Sequence, residues 1–268
     1  MLYFILGGLS IGIGVMLFFG SKKAAGKSLD IQMTDLTNTK NLLENFNSLT
    51  DSFGKGSFSL YAKLRGVAYS NSPLISEYSK KECVYYKVEV EREYEELVTS
   101  KDSDGKTVKK WERKSEVLVD SEKTASDFSI KDESGMIKIN HKGSNLQGEE
   151  SYSNFEKGDD TGSGSSFNFA GVTVKSGPTI RTIGYTHTES IIPIGRRLFV
   201  VGDANDRSGE LTISNNKDKP FIVSIRTEDE VVGKLSSSSS GKKRWSVILL
   251  IVGITLLIVG ILKTIGIL

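Results

Sequence analysis

The sequence predicts a mainly β fold, a small barrel or sandwich, set between two transmembrane α-helices and preceded by a juxtamembrane amphipathic helix. Three observations carry that prediction. Both ends of the 268-residue chain are long apolar runs. The stretch from Ser57 to Ile225 alternates with a period of two, broken by turn residues. Between the first apolar run and that stretch, apolar residues recur at helical spacing. We divide the chain into a span at 1–20, an amphipathic helix at 28–54, a β-rich domain at 57–235 with a flexible loop at 157–168, a Ser-rich basic linker at 236–244 and a span at 245–268.

From Leu2 to Phe19 only Tyr3 and Ser10 carry polar groups. A signal peptide would open with basic residues and close on a small-residue cleavage site. No Lys or Arg precedes Lys22, and Phe18-Phe19-Gly20 is a poor site. The run therefore reads as a retained membrane helix. Gly8 and Gly12 fit the small-xxx-small pattern of close helix contacts, although glycine is also common in such helices generally.

Met33, Leu36, Leu43, Phe46, Leu49 and Phe53 mark one face of a helix over Asp30–Phe53, capped by Thr34 or Asp35 and ended by Gly54-Lys55-Gly56. Its polar face has a single lysine, which favours packing on the domain or on a second copy over lying on a membrane.

Val84, Tyr86, Val88, Val90 and Tyr94 alternate with charged residues in a long half-buried strand. Asp102-Ser103-Asp104-Gly105 is a turn, and Thr107–Val119 returns. Phe128–Lys131 and Met136–Ile139 form a second hairpin, and Arg197–Val201, Glu210–Ser214 and Pro220–Ile225 are further strands. Thr227–Leu235 is set up for one or two helical turns by its acidic start. Ser236–Gly241 reads as a flexible linker and Lys157–Ser166 as a flexible loop.

The second span begins at Trp245 and runs without charge to Leu262; Lys263 interrupts it before Leu268. Its charge-free run of about 18 residues reaches about 27 Å, close to a bilayer's hydrocarbon thickness. Lys22, Lys23 and Lys27 follow the first span, and Lys242, Lys243 and Arg244 precede the second. The positive-inside bias then places the central domain in the cytoplasm and both termini on the opposite side. The lipid bilayer is one expected partner. Another membrane protein, or a second copy, is the other. A net charge of +2 gives no reason to expect nucleic acid.

Certain blocks resemble the GIDE domain, the membrane-flanked region of a mitochondrial E3 ubiquitin ligase and its plant, bacterial and archaeal relatives. They are Gly66-Val67-Ala68, Ser72-Pro73, Glu82-Cys83-Val84-Tyr85-Tyr86 and Trp111. Phe128-x-Ile130-x-Asp132-x-x-Gly135 follows, then Gly184-Tyr185 with Glu189, Ile192-Pro193-Ile194-Gly195 and Val200-Val201-Gly202. Pro220–Ser224 completes the resemblance, which covers residues 60–230 and frames the domain with two spans, as in the family. In the eukaryotic ligase a RING finger follows the second span, and its domain faces the intermembrane space. A RING takes two zinc ions and eight Cys or His ligands. This sequence offers Cys83, His141 and His187, so the expectation is a RING-less member with no metal and no cofactor.

No residue reads as catalytic, and an enzyme is not the favoured reading. The family-motif positions Gly66, Pro73, Cys83, Tyr85, Tyr86, Trp111, Asp132, Gly135, Gly184, Tyr185, Glu189, Pro193, Gly195 and Gly202 read first as structural. Cys83 reads as a buried thiol. Gly162-Ser163-Gly164-Ser165 lacks the strand and helix of a nucleophile elbow, no phosphate loop is present, and Asp102–Gly105 lacks the closing Glu of a calcium loop. The acidic run Glu89, Glu91, Glu93, Glu95 and Glu96 faces the basic run Lys106, Lys109, Lys110, Arg113 and Lys114, which cross-strand pairing explains.

The favoured function is a non-catalytic scaffold or protein-interaction module at the membrane. The alternatives are an accessory of a ubiquitin-like or membrane-stress pathway, and a membrane-bound enzyme of unknown type.

Overall fold

A computed structural model describes residues 1–158 and 179–265, and the backbone of 166–169 and 172–175. Most of the predicted Lys157–Ser166 loop lies outside the described residues, as does the Gly162–Ser165 segment. The elements are α1 (Leu2–Met33), β1 (Leu36–Thr37), α2 (Thr39–Phe53), β2 (Ser59–Tyr69), β3 (Leu74–Ile75), β4 (Glu82–Lys101) and β5 (Thr107–Thr124). They continue with β6 (Ser129–Asp132), β7 (Gly135–Ile139), β8 (Asn145–Gln147), β9 (Glu149–Lys157), β10 (Ser166–Phe169) and β11 (Val172–Lys175). The chain closes with β12 (Ile180–Pro193), β13 (Arg197–Asn205), β14 (Thr212–Ser214), β15 (Ile222–Ser224) and α3 (Glu228–Thr264). The fold is mainly β with two long apolar terminal helices, as the sequence predicts.

The stretch expected as one β-rich domain falls into two compact units. The first comprises Met1–Gly66, Asp132–Leu146 and Leu198–Leu268; the second comprises Val67–Lys131 and Gln147–Arg197. In the first unit, β14 pairs in parallel with β7 and antiparallel with β13, and β13 pairs antiparallel with β15. The two-residue β1 pairs in parallel with β2 through Leu36 opposite Lys63. Ile31 of α1 and Val231 of α3 join Phe199, Val201 and Ile222 in one buried cluster, with Tyr61, Val232 and Leu235 packed on it. Each such side chain contributes about 1.5–3 kcal/mol by leaving water. The base of both helices is therefore part of the first unit's β core.

The second unit is organised on β12, which pairs antiparallel with β4 on one side and β9 on the other. β4 also carries β5 and the short β3. The turn at Asp102–Gly105 forms as expected: Asp102 Oδ1 accepts from the amides of Asp104 at 3.0 Å and Lys106 at 2.9 Å, and Gly105 takes φ +76°. Cross-strand charge pairing is present in Arg113 with Glu93, Lys114 with Glu96, and the buried Arg92 with Glu116 at 2.9 Å.

Two local expectations are corrected. The helix expected over Asp30–Phe53 is interrupted. α1 continues through Asp30 to Met33, the chain then extends through β1, and α2 starts at Thr39. The cap is Asn38, whose side chain accepts from the Asn41 amide at 2.8 Å, rather than Thr34 or Asp35. Helical spacing carries across the break, so periodicity alone does not reveal it.

The Ser236–Gly241 linker is helix, inside α3. Tertiary bonds override a run of serines: Ser28 and Ser236 hydroxyls lie 3.1 Å apart, and Ser239 donates to the Ser21 carbonyl at 2.9 Å. Ser237 and Ser240 return their hydroxyls to carbonyls of the preceding turn. α3 begins with a full capping box, Thr227 with Glu230, so the turns expected at Thr227–Leu235 open a far longer helix.

α1 meets α3 elsewhere than at Gly8 and Gly12, whose presence the general abundance of glycine in membrane helices accounts for. Gly8 and Gly12 have open space where a side chain would begin. The contact runs instead through Gly7, Gly14, Ser21 and Ser28 of α1, a seven-residue repeat of small buried residues. Ser246, Gly253 and Gly260 repeat at the same interval on α3 and are also buried. A Cβ at Gly7 would lie 3.0 Å from the Gly253 carbonyl oxygen, and one at Gly253 would lie 2.9 Å from that of Gly7. A seven-residue repeat of small residues keeps one stripe of each helix on its partner and lets the backbones approach closely.

Candidate functional site

Two motif carboxylates collect hydrogen bonds, the half-buried Asp132 in the first unit and the fully buried Glu189 in the second. In the first, Asp132 ends β6 and faces the start of α2. Its Oδ2 accepts from the Thr39 amide at 2.8 Å and its Oδ1 from the Thr39 hydroxyl at 2.6 Å. Ser134 and Gly135 amides bond the same Oδ1 at 2.8 and 3.1 Å. Burial pushes the Asp132 carboxyl up, but the bonds from Thr39 and Ser134 outweigh it and hold it at about 2. A charged carboxylate at the positive end of α2 is favourable in its own right. Gly135 is required by the same contact: a Cβ there would lie 3.1 Å from the Thr39 hydroxyl. Asp132 and Gly135 together thus dock α2.

In the second unit Glu189, on β12, is fully buried. It accepts from the amides of Tyr78 at 2.6 Å and Ser79 at 3.1 Å, and from the hydroxyls of Ser79 at 2.6 Å and Ser151 at 2.7 Å. Burial raises its carboxyl, yet the bonds from Ser79, Ser151 and Tyr78 bring it down to about 2. It pins the β3–β4 loop to β12 and β9. Around it, Tyr78 stacks on Tyr152 with ring centres 4.9 Å apart and meets His187 Nδ1 with its hydroxyl at 3.2 Å. His187 Nε2 lies 3.7 Å from Glu156. Two amides and two hydroxyls thus converge on one carboxylate.

The other motif positions are packing devices. Cys83 is fully buried with Tyr86, Val88 and Ile191, and burial pushes its thiol up to about 11, with the Glu189 charge adding. Tyr85 donates to Glu122 at 3.0 Å, and Lys123 lies over the Tyr86 ring. Arg181 sits 4.1 Å over the Trp111 ring. Gly184 lies beneath Phe155, whose ring a Cβ would strike at 2.3 Å; Gly202 lies against Phe221 at 2.6 Å. Pro193 and Gly195 make a turn, with Gly195 at φ +75° donating to the Ala68 carbonyl at 2.8 Å. Tyr185 is half-buried on β12, while Gly66 and Pro73 are half-buried on β2 and in the loop after it.

A polar cleft of about 240 Å³ in the first unit is lined by Asn140, Lys142, Asn205, Arg207 and Asn215 among others. It is smaller than the roughly 300–1,000 Å³ of most small-molecule sites. Arg207 is engaged by the buried Asp203 at 2.9 Å. Among the described residues no group of three or more His, Cys, Asp or Glu is placed to hold a metal ion.

Sequence reasoning missed Lys63. It lies on β2, is 5% exposed, and donates to Glu228 at 2.6 Å and to the Ile31 carbonyl at 3.3 Å. The end of α1 and the start of α3 share this one cation. Both helices are long and apolar enough to cross a membrane.

The arrangement defines a class: a mainly β protein with hydrogen-bonded carboxylate hubs and with the roots of a paired-helix stem in its core. A family model described as GIDE, E3 ubiquitin ligase, matches residues 95–260, more than half of the chain, and runs well into the apolar part of α3. The chain belongs to the GIDE family. The E3 ubiquitin-protein ligase SPL1 of Arabidopsis thaliana is 33% identical over 78 residues, which is 29% of this chain and 23% of that protein. The match thus spans less than a quarter of its relative's length. No solved structure matches the chain.

Proposed function

We propose that this protein is a two-span membrane protein that presents a GIDE β-domain as a non-catalytic scaffold or protein-interaction module. The observation that carries the reading is the α1–α3 stem, sealed by small residues along its length and rooted in the first unit's β core. At about 1.5 Å per residue, helices of 32 and 37 residues are about 48 and 55 Å long, more than the roughly 30 Å hydrocarbon layer. The excess stands outside the bilayer as a stiff stalk that holds the first unit off the headgroups.

The basic residues beside each span favour a cytoplasmic domain with both termini opposite. Ser238, exposed on the stalk, tests this. With Cys83 buried, Ser238→Cys is the one reactive thiol. It should resist an impermeant maleimide in intact cells and label once the membrane is opened. Ready labelling of intact cells would overturn the orientation.

The partner is another membrane protein or a second copy. α2 buries Leu42 and packs Phe46 edge-on against Phe58, while leaving Leu49 and Phe53 exposed. Those two residues are the contact surface of this reading. A complex isolated in mild detergent should be lost in Leu49→Ser/Phe53→Ser, and a lone monomer for the unaltered chain would defeat the idea.

The second reading is favoured by the family match and by the name of the plant relative: an accessory role in a ubiquitin-like or membrane-stress pathway. Residues 1–268 hold one Cys and two His, fewer than the eight ligands a RING takes. This reading needs a zinc-binding RING chain that co-purifies with the protein; its absence from native-membrane preparations would remove the support.

A further inference from the structure

The stem joins two charge clusters that lie at opposite ends of the sequence. Lys22, Lys23 and Lys27 project from α1, and Lys242, Lys243 and Arg244 from α3; all six are exposed. Contacts between the antiparallel helices set the two clusters on successive turns of the stem, the α1 lysines toward the β core and the α3 cations toward the apolar segments. Ser239 reaches the Ser21 carbonyl between the two clusters, and a Cβ on Gly14 would meet the Ser246 carbonyl at 3.2 Å just beyond Arg244. Between them, the Lys242 side chain passes 3.8 Å from where a Cβ on Gly20 would stand.

This collar has no internal counter-charge. Within α1 the only acid is Asp30, near its last turn, and α3 has none after Glu230. None of the six cations forms an ion pair among the described residues. The collar also abuts the apolar segments directly. Lys22 Nζ folds back to 4.8 Å from the Phe18 ring, and Trp245 beside Arg244 is 60% exposed. A cation over an aromatic ring and an exposed tryptophan flanking the apolar run are features of a membrane interface.

We propose that the collar is a binding site for anionic phospholipid headgroups, built jointly by α1 and α3. Mutual repulsion of six like charges is relieved by lipid phosphates, which the compact ammonium groups of lysine meet as point charges. Each Lys or Arg near an anionic surface contributes about 1 kcal/mol. The site forms only when the helices pair, so lipid binding and stem integrity are linked. This inference rests on the membrane-spanning reading above.

The test uses the full chain reconstituted in nanodiscs of phosphatidylcholine with a minority of phosphatidylglycerol, released gently, with retained lipids counted by native mass spectrometry. The unaltered protein should retain phosphatidylglycerol several-fold above its share of the mixture. Lys22→Gln/Lys23→Gln and Lys242→Gln/Lys243→Gln should each lose most of that preference, because each removes one half of the collar. Lys109→Gln/Lys110→Gln on β5, with the same change in charge, should keep it. Equal retention in the collar variants and the unaltered chain would overturn the proposal, as would a loss in the β5 variant of the same size. Failure of the unaltered chain to enter nanodiscs of either composition, with full extraction from membranes at alkaline pH, would instead overturn the spanning reading itself.

Discussion

Lys63 and Glu228 form a nearly buried ion pair at 2.6 Å that links β2 to the first turn of α3, and the same ammonium caps the Ile31 carbonyl near the end of α1. The charges suit both helix ends: a cation at the negative C-terminal end of α1, a carboxylate at the positive N-terminal end of α3. Arg65 holds the second carboxylate oxygen of Glu228 at 3.0 Å. Lys63→Met should cost about 2–4 kcal/mol, because it leaves the little-exposed Glu228 carboxylate with Arg65 alone and uncaps the Ile31 carbonyl. Glu228→Gln should cost a similar amount, and the double variant should cost clearly less than the sum. Denaturant unfolding in detergent checks this; additive costs would mean that the two residues act independently.

The helix seam gives a contrast between glycines. Gly253→Leu would place a Cβ 2.6 Å from Ile11 and 2.9 Å from the Gly7 carbonyl oxygen. Overpacking of this kind typically costs about 1–3 kcal/mol, and here the obstacle includes backbone. Gly12→Leu enters open space and should be neutral. Melting temperatures in one detergent compare them, with a drop expected for Gly253→Leu alone. Equal drops would mean that the seam lies elsewhere on α1.

Glu189 should contribute to the acid stability of the second unit. Its carboxyl moves from 4.5 to about 2 on folding. A depressed folded value stabilises the protein above the unfolded value and loses that contribution as pH falls through the folded one. The contribution is therefore complete above about pH 5 and gone by about pH 2, on the order of 3 kcal/mol in all. Glu189→Gln replaces an acceptor oxygen with an amide donor facing donors from Tyr78, Ser79 and Ser151. It should destabilise at neutral pH by about 2–4 kcal/mol and flatten the acid limb of stability against pH. An unchanged acid limb in the variant would assign that limb to other carboxylates.

Asp132 anchors the first turn of α2. Asp132→Ala should cost about 1–2 kcal/mol as a lost cap. Hydrogen exchange at the Thr39 amide, now bonded to Asp132 Oδ2, should accelerate, while the amides within β13 stay protected. Unchanged exchange at Thr39 would show that the side chain of Asn38 suffices to hold the turn.

What the sequence makes legible is local. The β4–β5 hairpin follows from strict alternation and an Asp-Ser-Asp-Gly tip, and the terminal helices follow from their apolar length. Cys83 is buried, as its apolar and aromatic neighbours imply. The hubs are different. Glu189 draws its partners from Ser79 and Ser151, 110 and 38 residues away, and Asp132 reaches Thr39 over 93 residues. Nothing local marks either set of donors. The serine run misleads because its helix is stabilised by tertiary bonds to α1 rather than by its own propensity. One signal for the seam was present: small residues seven apart at Gly7, Gly14, Ser21 and Ser28, matched by Ser246, Gly253 and Gly260. Gly8-x-x-x-Gly12 is not part of the seam, in keeping with the general abundance of glycine in membrane helices.

The stem is the claim on which the rest depends, and one crosslink tests it most directly. Ser28 and Ser236 hydroxyls are 3.1 Å apart, so cysteines at both positions are within bonding reach. In native membranes, mild oxidation of Ser28→Cys/Ser236→Cys should join the two peptides within a single chain, seen by mass spectrometry at monomer mass. A disulfide found only between chains, or none while each cysteine alone reacts with maleimide, would contradict a stem formed by α1 and α3 of the same molecule.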